Sequence, residues 1–271
     1  MLYIFTVIFC IILVIYQFKG RKTLEKQFDK YHDSWGILEE QKSQYLKDLF
    51  ERTYLSDIIE RHNIQRIDVL DTLVNILASS IGSLTNPKKL SDTFISNSMK
   101  DVSINTITSY INYLEDSFLI KKVERYDVKG KKYISTPSKY YFADIGLRNA
   151  RLNFRQQEED HIMENIIYNE LLYRGYNVDV GIVEIREKNI RKQTEVDFIC
   201  NQADKRYYIQ VALSLPTREK TLQEERPLMN INDNFKKIII VKDGKKSWTT
   251  EEGILIIGLQ EFLLNKDSLY L

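Results

Sequence analysis

The chain has 271 residues, long enough for two domains, and its 43% hydrophobic and 11% aromatic content excludes a disordered chain. Its 39 basic and 38 acidic residues leave a formal charge of +1, which excludes a globally basic nucleic-acid binder, so any contact with phosphate needs a local patch. Cys10 and Cys200, with His32, His62 and His161, are too few and too scattered for a disulfide framework or a zinc site, which fits a reducing compartment.

Residues 2–18 carry no charge and are followed by Lys19, Arg21 and Lys22. As a helix these ~17 residues would reach about 25 Å, near the lower limit for crossing a bilayer core. The stretch lacks the basic start and small-residue cleavage site of a secretory signal, so residues 1–22 are expected to form an uncleaved membrane anchor. The basic residues after it would hold the rest of the chain in the cytoplasm, tethered to the inner face of the membrane. The alternatives are a buried helix or a new start on a truncated gene.

Residues 23–68 read as a helical lead-in. Leu46, Leu49, Phe50, Leu55, Ile58 and Ile59 recur at helical spacing between Tyr45 and Arg61. A nearly all-apolar helix follows from Val69 to Ser80 and stops at Gly82, and a further segment runs from Lys89 to Ser96. Ser103 is an expected N-cap for a helix reaching Phe118, with Ile104, Ile107, Ile111, Leu114 and Phe118 as its buried stripe. Asn105, Thr106, Ser109 and Asn112 fall on its outward face. Two strands, one from Leu119 and one over Lys139–Asp144, are joined through Lys129-Gly130.

Three helices and then a hairpin, over residues 69–150, is the order of a winged helix-turn-helix. Its candidate contacts to double-stranded DNA are Asn105, Thr106 and Ser109 on the last helix and Lys129, Lys131 and Lys132 on the hairpin, where Lys121, Lys122 and Arg125 add charge. The alternative is a packing module whose lysines only solvate the hairpin.

Residues 151–271 read as an α/β domain. An amphipathic helix from His161 ends at Gly175 and carries Glu164. The runs Thr194–Cys200 and Arg206–Ala212, separated by a turn over Asn201–Lys205, are expected antiparallel strands, the first with Glu195 and Asp197 on one face. Strands at Ile238–Val241 and Ile254–Ile257 and a helix at Leu259–Leu264 complete the sheet. A helix carboxylate at Glu164, a strand carboxylate at Asp197 and a polar Gln210 on the next strand resemble the restriction-endonuclease-like PD-(D/E)xK fold.

From about Thr23 onward the chain also resembles the C-terminal part of prokaryotic AAA-type ATPases, in which a P-loop module precedes a domain of unknown function. The phrases that carry the likeness include Tyr45-Leu-Lys-Asp-Leu-Phe, Tyr113-Leu-Glu-Asp-Ser-Phe, Tyr140-Tyr-Phe-Ala-Asp-Ile-Gly-Leu-Arg-Asn149, Glu164-Asn-Ile-Ile-Tyr-Asn-Glu-Leu, Glu195-Val-Asp-Phe and Tyr208-Ile-Gln-Val-Ala212. The resemblance implies an α/β (α+β) chain with a winged helix-turn-helix and an endonuclease-like domain, preceded here by the apolar N-terminal helix in place of the ATPase module.

No phosphate-binding loop is present: Gly253 and Gly258 have the spacing, but Leu259 and Gln260 stand where its lysine and hydroxyl belong. A truncated relative without ATP-binding residues is therefore expected. If the nuclease centre were active, Glu164, Asp197 and Gln210 would serve it, with Glu164 and Asp197 as ligands of Mg2+. Gln210 in place of an acid and Ala212 in place of a lysine make an inactive centre and no cofactor the expectation. Lys192 or Lys220 is the candidate for a migrated lysine, and a metal-dependent nuclease is the alternative function. His161 reads as a cap or surface residue. The remaining partner class is protein: full-length AAA-type relatives or a second copy of the chain.

Overall fold

The computed structural model describes residues 39–96, 101–155, 158–187, 190–244 and 246–271. The expected anchor at residues 2–18 lies outside them. Among the described residues no helix is long and apolar enough to cross a membrane. The chain divides into two compact units between Asp48 and Leu49. Helix α1 (Glu39–Leu49) ends at that boundary.

The second unit begins with a π-type helical segment, Phe50–Leu55, running into α2 (Ser56–Arg61), followed by α3 (Ile67–Ser79), α4 (Pro87–Ser96) and α5 (Ile104–Asp116). Ser103 caps α5 as expected, its hydroxyl accepting from the Thr106 amide at 3.0 Å. The buried stripe of α5 is Ile107, Tyr110, Ile111 and Leu114. Ile104 and Phe118, expected in that stripe, are exposed: Ile104 is the first residue after the cap, and Phe118 lies beyond the helix with φ at +58°.

One eight-stranded sheet holds the rest together, in the order β2-β1-β3-β4-β5-β6-β8-β7. The hairpin β1 (Ile120–Asp127) and β2 (Lys132–Phe142) joins through the parallel pairing of β1 with β3 (Asn177–Glu187). Between them in sequence come α6 (Ile145–Arg151) and α7 (Glu159–Tyr173), the latter ended by Gly175 at φ +84°. Strands β4 (Ile190–Gln202) and β5 (Lys205–Ala212) are the expected antiparallel pair. Then come α8 (Arg218–Met229), β6 (Lys236–Val241), β7 (Trp248–Thr249), β8 (Leu255–Gly258) and α9 (Leu259–Leu264).

The sheet is buried on both faces, which is why β5 and β6 read as nearly unbroken apolar runs. Ile238 and Ile240 of β6 pack with Ile167 and Leu171 of α7 and Phe262 of α9, whereas Ile239 and Val241 pack with Leu228 of α8. Pairing of β3 with β4 slips between Asp179 and Gly181, where Gly181 faces Val196 and Asp179 faces Ile199. The extra residue in β4 turns Val196 toward the α8 side and Phe198 toward the α7 side, with Asp197 between them. Gly181 makes this close approach, since a Cβ there would stand 2.9 Å from Val196 Cβ.

Candidate functional site

Helix α7 lays Glu164, Ile167, Tyr168 and Leu171 along its buried side, the i, i+3, i+4, i+7 spacing of a core-facing stripe. Glu164 thus occupies an apolar position, and an acid there has to find partners. Strand β2 supplies two of them. Lys139 and Tyr141, two residues apart, share a strand face. Lys139 Nζ lies 2.8 Å from Glu164 Oε1, and the Tyr141 hydroxyl donates to the same oxygen. The neighbouring Asn165 fixes the helix against the end of β2, accepting from the Phe142 amide and donating to the Phe142 carbonyl, both at 2.8 Å.

Strand β4 brings the other acids. Glu195 Oε1 is 2.5 Å from Lys139 Nζ, so one ammonium is held between two glutamates. The Lys139 side chain is 5% exposed and that of Glu164 11%, while Glu195, at 31%, is the opening to solvent. Asp197 Oδ2 accepts the Val211 amide at 2.8 Å from β5. Burial, and then the charge of Glu164, raise the Asp197 carboxyl well above the carboxylate range, against the pull of Lys139. For Lys139 burial alone would lower the pKa, but Glu164, Asp197 and Glu195 outweigh it and the net shift is upward. Burial and Glu164 likewise raise Tyr141 well above the phenol range, so it remains a donor.

His161, at the start of α7, approaches the outer oxygen of Glu164, with Nδ1 3.9 Å from Oε2. The turn after α3 closes that side. Gly82 has φ +69°, and a Cβ there would lie 3.0 Å from His161 Nδ1 and 3.3 Å from Glu164 Oε2.

The structure therefore brings Glu164 and Asp197 together, with Lys139, Glu195 and Tyr141 added. Gln210 goes elsewhere. Alternation along β5 puts it on the side of Tyr208 and Ala212, and its amide donates to Glu224 Oε2 of α8 at 3.3 Å. Lys220, a candidate migrated lysine, pairs with the same Glu224. Lys192, the other candidate, is exposed on β4. A lysine does enter the cluster, but from the hairpin. Its sequence signal is a charge within the otherwise buried run Lys139–Phe142.

A divalent ion bridging Glu164 and Glu195 would need the position that Lys139 Nζ holds between them. Among the described residues no three His, Cys, Asp or Glu side chains are grouped to hold a metal ion. As built, the centre is a buried ion-pair network whose cation is part of the chain.

Of the expected DNA contacts, Asn105, Lys131 and Lys132 are exposed, while Thr106 and Ser109 are half-buried. The Thr106 and Ser103 hydroxyls share a hydrogen bond at 2.8 Å. Lys129 is exposed and its Nζ donates to the Glu184 carbonyl at 2.6 Å, fastening the hairpin tip to β3. No lysine or arginine lies on α5 itself, which ends in Glu115 and Asp116.

Comparison with known proteins gives two family matches, both described as domains of unknown function: DUF8612 over residues 35–158 and DUF4143 over residues 159–262. An uncharacterized protein of Haemophilus influenzae is 35% identical over 245 residues, covering 89% of this chain and 58% of that protein. The uncharacterized protein MJ1544 of Methanocaldococcus jannaschii is 27% identical over 227 residues, covering 82% of this chain and 49% of its own length. The chain thus spans about half the length of these curated relatives. Among solved structures, protein VC1899 from Vibrio cholerae aligns over 84% of this chain and 55% of its own, with 11% identity and a TM-score of 0.30.

Proposed function

We propose that this chain is a duplex-DNA-binding module related to the region that follows the P-loop in AAA-type ATPases, with a winged-helix half and an endonuclease-like half whose centre is catalytically silent. The observation that carries the silent centre is the place of Lys139. Its ammonium already neutralises Glu164 and Glu195 at 2.8 and 2.5 Å, so neither glutamate is free to take a metal. Gln210, bonded to Glu224 on the α8 side, supplies no replacement acid. Duplex binding draws on the exposed Asn105 and on Lys129, Lys131 and Lys132 at the hairpin tip, a local positive group on a chain of net charge +1.

The test is the purified chain with plasmid and short duplexes in Mg2+ or Mn2+, beside Asp197→Ala. A duplex retarded at low salt and released at high salt, with no cleavage, is the expected result. Cleavage that disappears in Asp197→Ala would make the protein a metal-dependent nuclease. Absence of any retarded species would remove DNA as partner and leave the protein class, AAA-type relatives or self-association.

A further inference from the structure

We infer that the exposed face of α5 reads A·T base pairs in the major groove, through amide and methyl groups with no guanine-reading side chain beside them. The inference rests on the duplex-binding reading proposed above and names the sequence class that such binding favours.

The exposed residues of α5 are Ile104, Asn105, Thr108, Asn112 and Asp116. Asn105, Thr108 and Asn112 stand at i, i+3 and i+7, one stripe along the helix. The side-chain amides of Asn105 and Asn112 engage no other group among the described residues. An asparagine amide meets N6 and N7 of adenine together, accepting from the first and donating to the second. Thr108 has committed its hydroxyl to the Ile104 carbonyl at 2.8 Å, which leaves its methyl group for contact. Ile104, 46% exposed, adds a larger apolar surface one turn before it. Groups of this kind pack on the C5-methyl of thymine.

Guanine is read chiefly by arginine or lysine forked onto O6 and N7, and α5 carries neither. Asp101 brings Arg66 to the start of the helix, but its two terminal nitrogens are taken by Asp101 and Asp68, each at 2.7 Å. Asp116 is an acceptor suited to cytosine, yet it lies beside Glu115 at the C-terminal end, where phosphate is repelled. The charge that draws the duplex in is therefore at the hairpin tip. The Lys122 amide donates to Glu115 Oε1 at 2.9 Å, fixing the end of α5 on β1. The eight residues of β1 carry the tip at most about 26 Å further, within the ~34 Å of one turn of B-DNA. Phosphate contact and base contact thus fall on one stretch of duplex, affinity resting on one element and specificity on the other.

The experiment measures binding of the intact chain by fluorescence anisotropy to duplexes of equal length made of mixed A·T, mixed G·C, inosine·cytosine or A·U pairs. Inosine·cytosine shows the major groove of G·C and the minor groove of A·T, so it separates base-edge reading from groove shape. The A·T duplex is expected to bind about tenfold tighter than G·C, with inosine·cytosine as weak as G·C and A·U, which lacks the thymine methyl, in between. Asn105→Ala is expected to bring the A·T to G·C ratio below about threefold, and Ile104→Ala to erase the advantage of A·T over A·U. Both residues are exposed, so the fold is kept, as circular dichroism checks. Lys129→Glu/Lys131→Glu/Lys132→Glu should weaken all four duplexes and leave the ratio unchanged. Equal affinity for A·T and G·C, inosine·cytosine bound as tightly as A·T, or a ratio unmoved by Asn105→Ala overturns the inference while the duplex-binding reading stands. Failure to bind any of the duplexes overturns both.

Discussion

Lys139 Nζ lies 2.5 Å from Glu195 Oε1, which ties the edge strand β2 to β4 across both β1 and β3. A contact of this span is tertiary in the strict sense: the hairpin supplies the cation, and the rest of the sheet with α7 supplies the anions. Breaking a buried pair from one side leaves uncompensated charge, so Lys139→Met is expected to lose about 3–5 kcal/mol of stability in metal-free urea unfolding. A loss below ~1 kcal/mol would mean that the cluster is more open to water than its burial indicates.

Tyr141 gives a milder cut into the same network. Its hydroxyl donates to Glu164, and Tyr141→Phe keeps the ring against Tyr168, at 4.5 Å between centroids, while removing the donor. A loss of about 1–3 kcal/mol is expected, the cost of leaving a buried acceptor short of one partner. Equal stability of the two proteins would show that Lys139 alone satisfies that oxygen.

Asp197 sets a pH dependence of known sign. Its folded pKa lies above the unfolded value of about 4, so the native state binds more protons over that interval and stability falls as pH rises through it. Lys139 acts in the other window: its raised pKa contributes stability fully below about pH 10.4, and the contribution fades only above that. Asp197→Asn can still accept the Val211 amide, and it should gain on the wild type as pH goes from about 4 to 8. Parallel stability curves for the two proteins across that range would contradict the assignment.

Gln210 invites an apparent repair that the structure argues against. Gln210→Glu restores an acid to β5, but places it against Glu224 rather than Glu164. Expected is a loss of about 1–2 kcal/mol at pH 8, shrinking toward pH 5 as the carboxylate pair takes up a proton, and no cleavage activity. Gain of Mg2+-dependent cleavage would show that Gln210 reaches the cluster after all.

The lysines of the hairpin tip are testable together. Changing Lys129, Lys131 and Lys132 to Glu should weaken duplex binding and flatten the dependence of log affinity on log salt by about 3 units, roughly one per phosphate contact. Unchanged affinity with an intact fold would assign these lysines to solvation. Lys129, fastened to the Glu184 carbonyl, is the one whose single substitution should also loosen the hairpin.

Much of the architecture was legible because it is local. The Ser103 cap, the glycine stop at Gly175 and the turn between Cys200 and Arg206 each follow from a few adjacent residues, and the structure has all three. Strand β3 and helix α8 carried weaker signals and are among the elements with no counterpart in the sequence reading. Strand β3 alternates Val178, Val180 and Ile182, but Val183 and Ile185 on its other face are buried too, so its pattern has no clear polar side. Helix α8 has Leu222 exposed, and Pro227 and Leu228 among its few buried residues, so its stripe is thin.

By itself, the sequence determined the carboxylates Glu164, Glu195 and Asp197, the polar residue that stands at Gln210, the absence of a phosphate-binding loop and the order of the strongly patterned elements, because type, spacing and periodicity are properties of neighbouring residues. Only the tertiary structure decided which cation meets those carboxylates. Spacing along β5 pointed to position 212, held by Ala, whereas the sheet order carries Lys139 in from a hairpin 25 residues before Glu164. The two residues meet because β1 pairs in parallel with β3 and Asn165 pins α7 across the end of β2. Long-range pairing of that kind leaves no periodic trace in either segment.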